Sequence, residues 1–337
     1  MTENYAFIGL GAMGYAMAAN VRKKMPSTST LYINDINASA CERFVCAYSS
    51  HGLIEIVSTA RDAASNAKYV VSIVPAAVDV KKVYLDEKDG VIAGTKDAER
   101  VLCECSTIDV QSTREVGEKL KEHGMGTYVD TPVSGGVPAA ERGDLSMLIG
   151  HSSPTPSNPT STRLSHILSL VGSPTKFFYL SSLGAGLTAK ISNNYLSGTI
   201  LLATSEALAI GVAQGLDPKD LYNVIRASTG QSWMCDHVMP IPNVAETWVP
   251  SNSGYKPGFK TQMMLKDLGL GIESARQVGI EPRMAETALA VWETASRDER
   301  CVDRDGSSVY LHIGGRLPEG YEDRGKRGED GEWLFGE

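Results

Sequence analysis

The sequence has few aromatic residues and no cysteine or histidine pattern typical of disulfide-bonded or metal-binding small folds. Aromatic residues make up only 7% of its 337 positions, its six cysteines include no C-x-x-C pair, and its six histidines nowhere approach metal-ligand spacing. We therefore expect neither a disulfide framework nor a metal site, and the isolated cysteines favour a reducing compartment. A chain of this length buries a large core without such staples and most often forms two domains.

Basic charge and long apolar runs are also scarce. The 32 Lys and Arg residues against 40 Asp and Glu give a net charge of −8, which argues against a nucleic-acid partner. The longest apolar stretch, residues 200–212, is interrupted by Thr204, Ser205 and Glu206 and falls short of the ~20 residues of a membrane span. A strand-like run starts at Tyr5, which leaves no room for a signal or transit peptide. We expect a soluble, cytoplasmic chain, or a mitochondrial one if this N-terminus is incomplete.

Short β-branched runs alternate with helical stretches through the first half of the chain. Strands separated by helices predict βαβ crossovers and a mainly parallel, doubly wound sheet, which is an α/β fold. The strand-like runs lie at residues 5–10, 30–34, 69–74, 101–105, 127–129, 146–149 and 176–179.

The pattern becomes wholly helical after Gly186. Residues 187–214 predict one helix of about 28 residues, about 42 Å long, which Gly215 closes as a C-terminal cap. Asp217 and Pro218 then supply an N-cap and a first helical position. Further helices are predicted at residues 217–228, 260–278 and 282–297.

A glycine pattern, G-x-G-x-x-G, lies between the first strand-like run and the helix that follows it. In this context the first glycine permits a tight turn, the second lets a pyrophosphate approach the backbone, and the third lets helix and strand pack closely. The phosphates then meet free N–H groups at a helix N-terminus. The six residues are Gly9, Leu10, Gly11, Ala12, Met13 and Gly14.

An acidic residue ends the second strand-like run. Asp35 is placed to accept both ribose hydroxyls of a dinucleotide and to repel a 2′-phosphate, which favours NAD over NADP as the cofactor. The spacing from the glycines is lengthened by residues 26–29, so Asn34 is the alternative occupant of this position.

These patterns together predict two domains and a tail. We expect an N-terminal Rossmann dinucleotide-binding domain at residues 1–183 and an all-α substrate and dimerisation domain at 184–313, joined by the long interdomain helix. The all-round apolar character of that helix favours a homodimer or homotetramer. The tail, residues 314–337, is rich in glycine and mixed charge and is expected to be poorly packed.

Two groups of residues fit this scheme badly. Residues 151–162 are a run of Ser, Thr, Pro and Asn, which we interpret as a mobile surface loop inserted between strands. In the tail, Trp333, Leu334 and Phe335 are unusually apolar. A disordered end is the favoured interpretation, and docking on the body or on a partner subunit is the alternative.

Three local sequences carry polar groups that core packing would not require. At residues 134–136 a serine precedes two glycines, whose N–H groups suit a carboxylate, with a plain turn as the alternative. Lys190 and Asn194 project from one face of the long helix because they are four residues apart. Lys266 and Asp267 interrupt an apolar helix, where solvated surface charge is the alternative.

The chain resembles the β-hydroxyacid dehydrogenase family, and most closely its 3-hydroxyisobutyrate dehydrogenase branch. The similar stretches run through nearly the whole chain in the family's order: GLGAMGYAMAANV at 9–21, ECSTID at 104–109, DTPVSGGVPAAERGDLSMLIG at 130–150, GAGLTAKISNNYL at 184–196 and KDLGLGIESARQVGIEPRM at 266–284. The branch is indicated by residues 228–233, 240–243, 255–259 and 305–309.

The resemblance implies NAD-dependent oxidation of a 3-hydroxy acid to its semialdehyde, with Lys190 as general acid/base and Asn194 orienting substrate and lysine. The substrate-binding residues that it implies are Ser134, Gly135, Gly136, Trp233 and Phe259. The cofactor contacts that it implies beside the glycine loop are Val74, Pro75, Asp79, Thr107 and Lys266. Asp79 is a departure, since the branch usually has Asn there.

Elementary chemistry agrees with a lysine at this centre. An alcohol loses its proton as hydride leaves, so the oxygen needs a base or a cation beside it. Burial and a neighbouring cation lower a lysine pKa from about 10.4 and so favour the neutral base. The alternatives are a reductase of another semialdehyde or of an imine, and a non-catalytic dinucleotide sensor. Lys190 opposes the reductase, since imine reducers of this type generally replace it, and the intact Lys190, Asn194 and Ser134 together oppose the sensor.

Overall fold

The computed structural model describes residues 3–155, 157–321, 325–327 and 333–335. The chain divides into two compact units, Met1–Lys190 and Ile191–Glu337. The first unit contains a parallel sheet flanked by helices, and the second is mainly helical. The expected fold class, a Rossmann-like α/β sheet followed by a helical region, is therefore confirmed.

The first unit alternates strands and helices. Its strands are β1 (Tyr5–Ile8), β2 (Leu31–Asn34), β3 (Ile54–Ile56), β4 (Tyr69–Ser72), β5 (Val101–Glu104), β6 (Thr127–Asp130), β7 (Val133–Ser134), β8 (Leu145–Ile149) and β9 (Gly172–Tyr179). Its helices are α1 (Ala12–Lys24), α2 (Ala38–Tyr48), α3 (Ala60–Asn66), α4 (Ala77–Leu85), α5 (Val110–Glu122), α6 (Gly136–Arg142) and α7 (Pro159–Val171).

Six of these strands form one parallel sheet in the order β3-β2-β1-β4-β5-β6, and β7, β8 and β9 form a separate sheet. Strand β1 is buried along its whole length. Phe7 lies in the hydrophobic core on one face of the sheet, and Ala6 and Ile8 lie in the core on the other, as the alternation of a strand requires. The strand order reverses between β1 and β4, and ligands of such sheets bind beyond the carboxyl ends of the strands at this point.

The second unit is built from helices around its own two hydrophobic clusters. Its elements are α8 (Ala185–Ala213), whose first residues belong to the first unit, then α9 (Pro218–Arg226), α10 (Trp233–His237), α11 (Met263–Gln277), α12 (Arg283–Ala295), α13 (Val309–His312), β10 (Gly325–Arg327) and β11 (Trp333–Phe335).

The end of α8 and the start of α9 form as the sequence predicts. Gly215 adopts a left-handed φ of +95°, and the N–H of Leu216 donates to the carbonyl of Gly211 over 3.1 Å. The Asp217 carboxylate then accepts the N–H groups of Lys219 and Asp220 at the start of α9. Both predicted caps are confirmed.

The predicted surface loop at residues 151–162 is too long. Asn158 caps α7 by accepting the N–H groups of Thr160 and Ser161, and Ser161 is fully buried. The polar run therefore ends in a helix start, because Asn followed by proline at the first helical position is itself a helix signal.

The expectation of a poorly packed tail is wrong for its first part. The Tyr310 hydroxyl donates to the carbonyl of Arg316 over 2.9 Å, and the Tyr321 hydroxyl donates to the carbonyl of Ser251 over 2.9 Å. Glycine content and mixed charge do not reveal hydrogen bonds between tyrosine hydroxyls and backbone carbonyls. The backbone of Trp333, Leu334 and Phe335 forms β11, which pairs with β10, and their side chains lie outside the described residues.

One helix in the described part of the chain, α8, is long and apolar enough to cross a membrane by length and composition, with a mean hydropathy of 1.6. The expectation that no segment reaches that standard is wrong, because Thr and Ser interrupt the apolar run but lower its hydropathy little. Core helices of folded proteins pass the same test. Here Leu187 lies in the core of the first unit, and Leu201 and Leu208 lie in the clusters of the second.

Candidate functional site

The three glycines of the glycine loop, residues 9–14, differ in the space around them. Two are packed against neighbouring backbone, and the third faces open space. A Cβ at Gly9 would stand 2.1 Å from the carbonyl oxygen of Ile73, and one at Gly14 would stand 2.0 Å from the carbonyl oxygen of Gly9. A Cβ at Gly11 would meet no described atom within 4 Å. Gly11 is the N-cap of α1 and has no side chain to cap that helix. Open space at a bare helix N-terminus fits the pyrophosphate of a dinucleotide.

Asp35 is the carboxylate that reaches this loop. Its Oδ2 accepts the N–H of Leu10 over 2.5 Å, and its Oδ1 accepts the N–H of Asn37 over 2.7 Å. The Asn34 amide instead donates to the carbonyl of Val57 over 2.8 Å, beyond the end of β3. The structure thus brings Asp35, and not the side chain of Asn34, to the glycine loop.

The ends of β4 and β5 are tied together by a buried carboxyl group that sequence reasoning left without a role. Glu104 accepts a hydrogen bond from the Ser72 hydroxyl at Oε2 and from the Ser106 N–H at Oε1, the latter over 2.6 Å. The Ser72 and Tyr84 hydroxyls are 2.6 Å apart, and the Ser106 hydroxyl accepts the N–H of Val74 over 2.7 Å. The sequence feature that points to this role is an acidic residue at the end of an otherwise apolar strand.

Burial raises the pKa of Glu104 to about 7 from 4.5. Between pH 4.5 and about pH 7, Glu104 is ionised in the unfolded chain but protonated in the folded chain. The free energy of unfolding should therefore fall as the pH rises through this range. We predict that Glu104→Gln, which cannot ionise, removes this loss and is more stable than wild type by about 2–3 kcal/mol at pH 8. The Gln oxygen still accepts the N–H of Ser106, and its NH₂ group donates to the Ser72 hydroxyl, which then donates to Tyr84. Urea unfolding of both proteins at pH 5 and pH 8 measures the difference. Equal pH dependence in the two proteins would refute it.

The other cofactor residues predicted beside these strands follow β4 and β5 directly. Val74 and Pro75 come after β4, and Thr107 comes after β5, at the edge of the sheet that holds the glycine loop. Asp79 lies in the first turn of α4, where its carboxylate accepts the N–H of Ala76 over 3.1 Å. Asp79 is thus engaged by its own helix, and a cofactor contact there stays a prediction.

The serine and glycines predicted to hold a carboxylate lie between β7 and α6. Gly135 has φ +135° and Gly136 has φ +67°, conformations that other residues rarely adopt. Gly135 is also the N-cap of α6. Ser134, at the end of β7, is half-buried. The two glycines therefore make a turn that carries backbone N–H groups beside the serine hydroxyl.

The start of α8 is fixed by a second buried carboxyl group. Asp130, at the end of β6, is fully buried and accepts the N–H groups of Gly184 over 2.7 Å and Leu187 over 2.9 Å. Burial raises the pKa of Asp130, and these N–H groups partly offset the rise. Lys190 follows within one turn of Leu187 and is half-buried. The backbone that carries Lys190 is thereby anchored to the sheet.

Asn194 is held by Asp267, for which the sequence predicted no role. Its Nδ2 donates to Oδ2 of Asp267 over 2.6 Å, and Asp267 is almost fully buried. The Nζ of Lys266 lies 3.3 Å from the other carboxylate oxygen of Asp267. Because a carboxylate only accepts, the amide NH₂ must face Asp267, which leaves the amide oxygen as the accepting end of Asn194.

The two aromatic residues predicted to bind substrate, Trp233 and Phe259, differ in their exposure and in their neighbours. Trp233 begins α10, is 65% exposed, and lies 4.7 Å from His237 between ring centroids. Phe259 precedes α11, is half-buried and packs on the cluster that contains Trp292. Its backbone N–H donates to Oδ2 of Asp305 over 3.0 Å, a contact that spacing did not reveal.

Two family models together match most of the chain. Residues 4–179 match the model described as the NAD binding domain of 6-phosphogluconate dehydrogenase. Residues 184–313 match the model described as NAD-binding of NADP-dependent 3-hydroxyisobutyrate dehydrogenase.

Individual relatives match nearly end to end. An NAD-dependent L-serine dehydrogenase of Pseudomonas aeruginosa is 35% identical over 307 residues, covering 91% of this chain and 96% of the relative. A 3-hydroxyisobutyrate dehydrogenase of the same organism is 36% identical and covers 81% and 85%. The solved structure of Mycobacterium tuberculosis 3-hydroxyisobutyrate dehydrogenase with L-serine superposes with a TM-score of 0.80 at 28% identity, over 94% of this chain and all of that one.

Proposed function

We propose that this chain, which belongs to the 3-hydroxyisobutyrate dehydrogenase family, oxidises a 3-hydroxy acid to the corresponding semialdehyde with NAD. The observation that carries the proposal is the polar face of α8. Lys190 and Asn194 stand one turn apart in an apolar helix, and buried Asp267 orients the amide of Asn194. Neither packing nor solubility requires this arrangement.

The substrate class follows from what the two named relatives act on. 3-Hydroxyisobutyrate and L-serine are both 3-hydroxypropanoates, and they differ in carrying a methyl or an amino group on Cα. An enzyme that oxidises such acids needs a binding site for the carboxylate, a proton acceptor beside the hydroxyl and side chains that contact the Cα substituent. We assign these to Ser134 with the N–H groups of Gly135 and Gly136, to Lys190, and to Phe259 with Trp233.

NAD is the cofactor that the matched NAD-binding domain and the NAD-dependent relative indicate for this chain, and it supplies the hydride acceptor when bound. The open space at Gly11 and the N-terminus of α1 would hold its phosphates. Asp35 would accept from the adenosine ribose. We assign the remaining contacts to Val74, Pro75, Asp79, Thr107 and Lys266, together with the backbone of Leu10, Ala12 and Met13.

Lys190 has the central role in this proposal. As the hydride leaves the carbon that bears the hydroxyl, neutral Lys190 takes the hydroxyl proton at Nζ. The resulting ammonium lies beside the new carbonyl oxygen and stabilises its partial negative charge. The accepting amide oxygen of Asn194, one turn further along α8, takes a hydrogen bond from Nζ of Lys190 and so turns the nitrogen lone pair toward the substrate hydroxyl, which orients both groups.

A panel of hydroxy acids tests this function. NADH formation is measured with 3-hydroxypropanoates that carry hydrogen, methyl or amino on Cα, and 2-hydroxy acids serve as controls. We expect turnover of the α-methyl or α-amino acid and none of the 2-hydroxy acids. A protein that oxidises no member of the panel but reduces an imine would instead support the reductase alternative.

Asp35 should set the choice between NAD and NADP. Replacing Asp35 with Ser removes the charge that repels a 2′-phosphate, so the ratio of kcat/KM for NAD to that for NADP should fall by roughly tenfold. Glu55→Ser removes the same charge from an exposed position on β3 and should leave the ratio unchanged. Wild-type protein that uses NADP as well as NAD would contradict this role of Asp35.

The chain should assemble with copies of itself. Ile210, Leu216 and Val224 are more than half exposed on or beside two helices of the second unit, an arrangement that favours a covering partner. We propose a homodimer or homotetramer. Sedimentation of a monomer of 36.1 kDa at micromolar concentration would contradict it.

A further inference from the structure

Another buried carboxyl group lies in the second unit, in a motif that the proposed reaction does not use. Asp305 is only 3% exposed. Its Oδ2 accepts two successive backbone N–H groups, those of Gly258 and Phe259, each over 3.0 Å. Its Oδ1 accepts the N–H of Ser307 over 3.0 Å and the hydroxyl of Ser307 over 2.8 Å.

The backbones of the two segments are joined as well. The N–H of Asp305 donates to the carbonyl of Tyr255 over 2.8 Å, and the N–H of Gly306 donates to the carbonyl of Phe259 over 2.9 Å. The N–H of Thr261 donates to the carbonyl of Arg304 over 2.9 Å. Residues 255–261 are therefore fixed along their length to residues 304–306, and both backbone groups of Phe259 are engaged.

Only a carboxylate satisfies all of these donors. The bonds to Ser307 form a helix cap that Asn or Ser also makes. The bonds to Gly258 and Phe259 require a second acceptor oxygen, whereas Asn would present an NH₂ group to two N–H groups. The geometry therefore requires aspartate at position 305 for the contact with Phe259, and a cap alone does not explain it.

We propose that Asp305 is a specificity-determining positioning residue, which fixes the Phe259 backbone and thereby the ring that contacts the substituent on Cα of the substrate. This inference rests on the proposed function. An aromatic face packs against a methyl group and attracts an ammonium group, and both effects depend on the distance from the ring. A ring held in one place discriminates between the two substituents, and a loosened ring discriminates less.

Asp305→Asn tests the proposal. We expect KM for the preferred acid to rise by about tenfold, kcat to change much less, and the preference between the α-methyl and α-amino acids to shrink. KM for NAD should stay the same, because the glycine loop belongs to the first unit. Asp303→Asn is the matched control: it removes an exposed ion pair with Lys260 at a left-handed φ of +62° that Asn tolerates.

Two further measurements cover the case in which Asp305→Asn folds poorly. Ser307→Ala keeps the carboxylate and removes one of its four donors, so KM for the acid should rise about twofold in the same direction. Hydrogen exchange at the amides of Gly258 and Phe259 should be faster in both variants than in Asp303→Asn.

The outcomes separate this inference from the function on which it rests. A wild-type protein that oxidises none of the acids overturns both. An active wild type whose Asp305→Asn and Ser307→Ala variants retain KM, substrate preference and amide protection overturns only the role of Asp305. A larger KM for the acid with a reduced preference and an unchanged KM for NAD supports it.

Discussion

Replacing Lys190 with alanine should lower kcat for hydroxy-acid oxidation by at least ~100-fold, the usual contribution of a general acid/base. The dissociation constant of NAD should change little, because the glycine loop and Asp35 are untouched. Lys190→Arg should be almost as slow, since arginine keeps the positive charge but does not deprotonate near neutral pH. Steady-state kinetics and direct NAD titration of both variants measure these effects.

The pH profile distinguishes proton transfer from charge stabilisation. Wild-type kcat should rise with pH as Lys190 loses its proton, and this limb should vanish in both variants. Lys219→Ala, which removes an exposed lysine from α9, is the control and should behave as wild type. Near-normal turnover by Lys190→Ala would mean that the proton goes elsewhere and that Lys190 is only a helix cation.

Alanine at two glycines of the loop should produce opposite defects. Gly14→Ala places a Cβ 2.0 Å from the carbonyl oxygen of Gly9 and 2.9 Å from a side-chain carbon of Ile73, so helix α1 must move away from β1. We expect a loss of about 3 kcal/mol or more of unfolding free energy. Gly11→Ala meets no described atom within 4 Å and should leave the stability of the free protein unchanged.

Binding should show the reverse pattern. The Cβ of Gly11→Ala would occupy the space that we assign to the pyrophosphate, so NAD affinity should fall by about tenfold or more. Urea unfolding without NAD and calorimetric titration with NAD separate the two effects. If Gly11→Ala binds NAD as tightly as wild type, the phosphates do not lie at this glycine.

Local signals in the sequence account for much of the first unit. The run at Tyr5, the glycines up to Gly14 and the helix that follows are specified by neighbouring residues. In the second unit, the caps at Gly215 and Asp217 are specified in the same way. Strand β3 and helix α10 were not predicted. They have only three and five residues, too few for a periodic pattern to show.

Long-range partners explain the rest of what sequence reasoning missed. The Asp130 carboxylate meets the N–H of Gly184 across 54 positions, and Asp305 meets the N–H of Gly258 across 47. Asp267 meets Asn194 across 73. Each of these acids stands within a stretch that resembles the family, but its role depends on which donors the fold brings to it, and spacing alone does not specify them.

The proposed reaction converts a 3-hydroxy acid and NAD into a semialdehyde and NADH in equal amounts. The most direct measurement incubates the purified protein with NAD and 3-hydroxyisobutyrate or L-serine, traps the aldehyde as a hydrazone and quantifies NADH in the same sample. We expect equal amounts of hydrazone and NADH with one of the two acids. Absence of both products with each acid would contradict it.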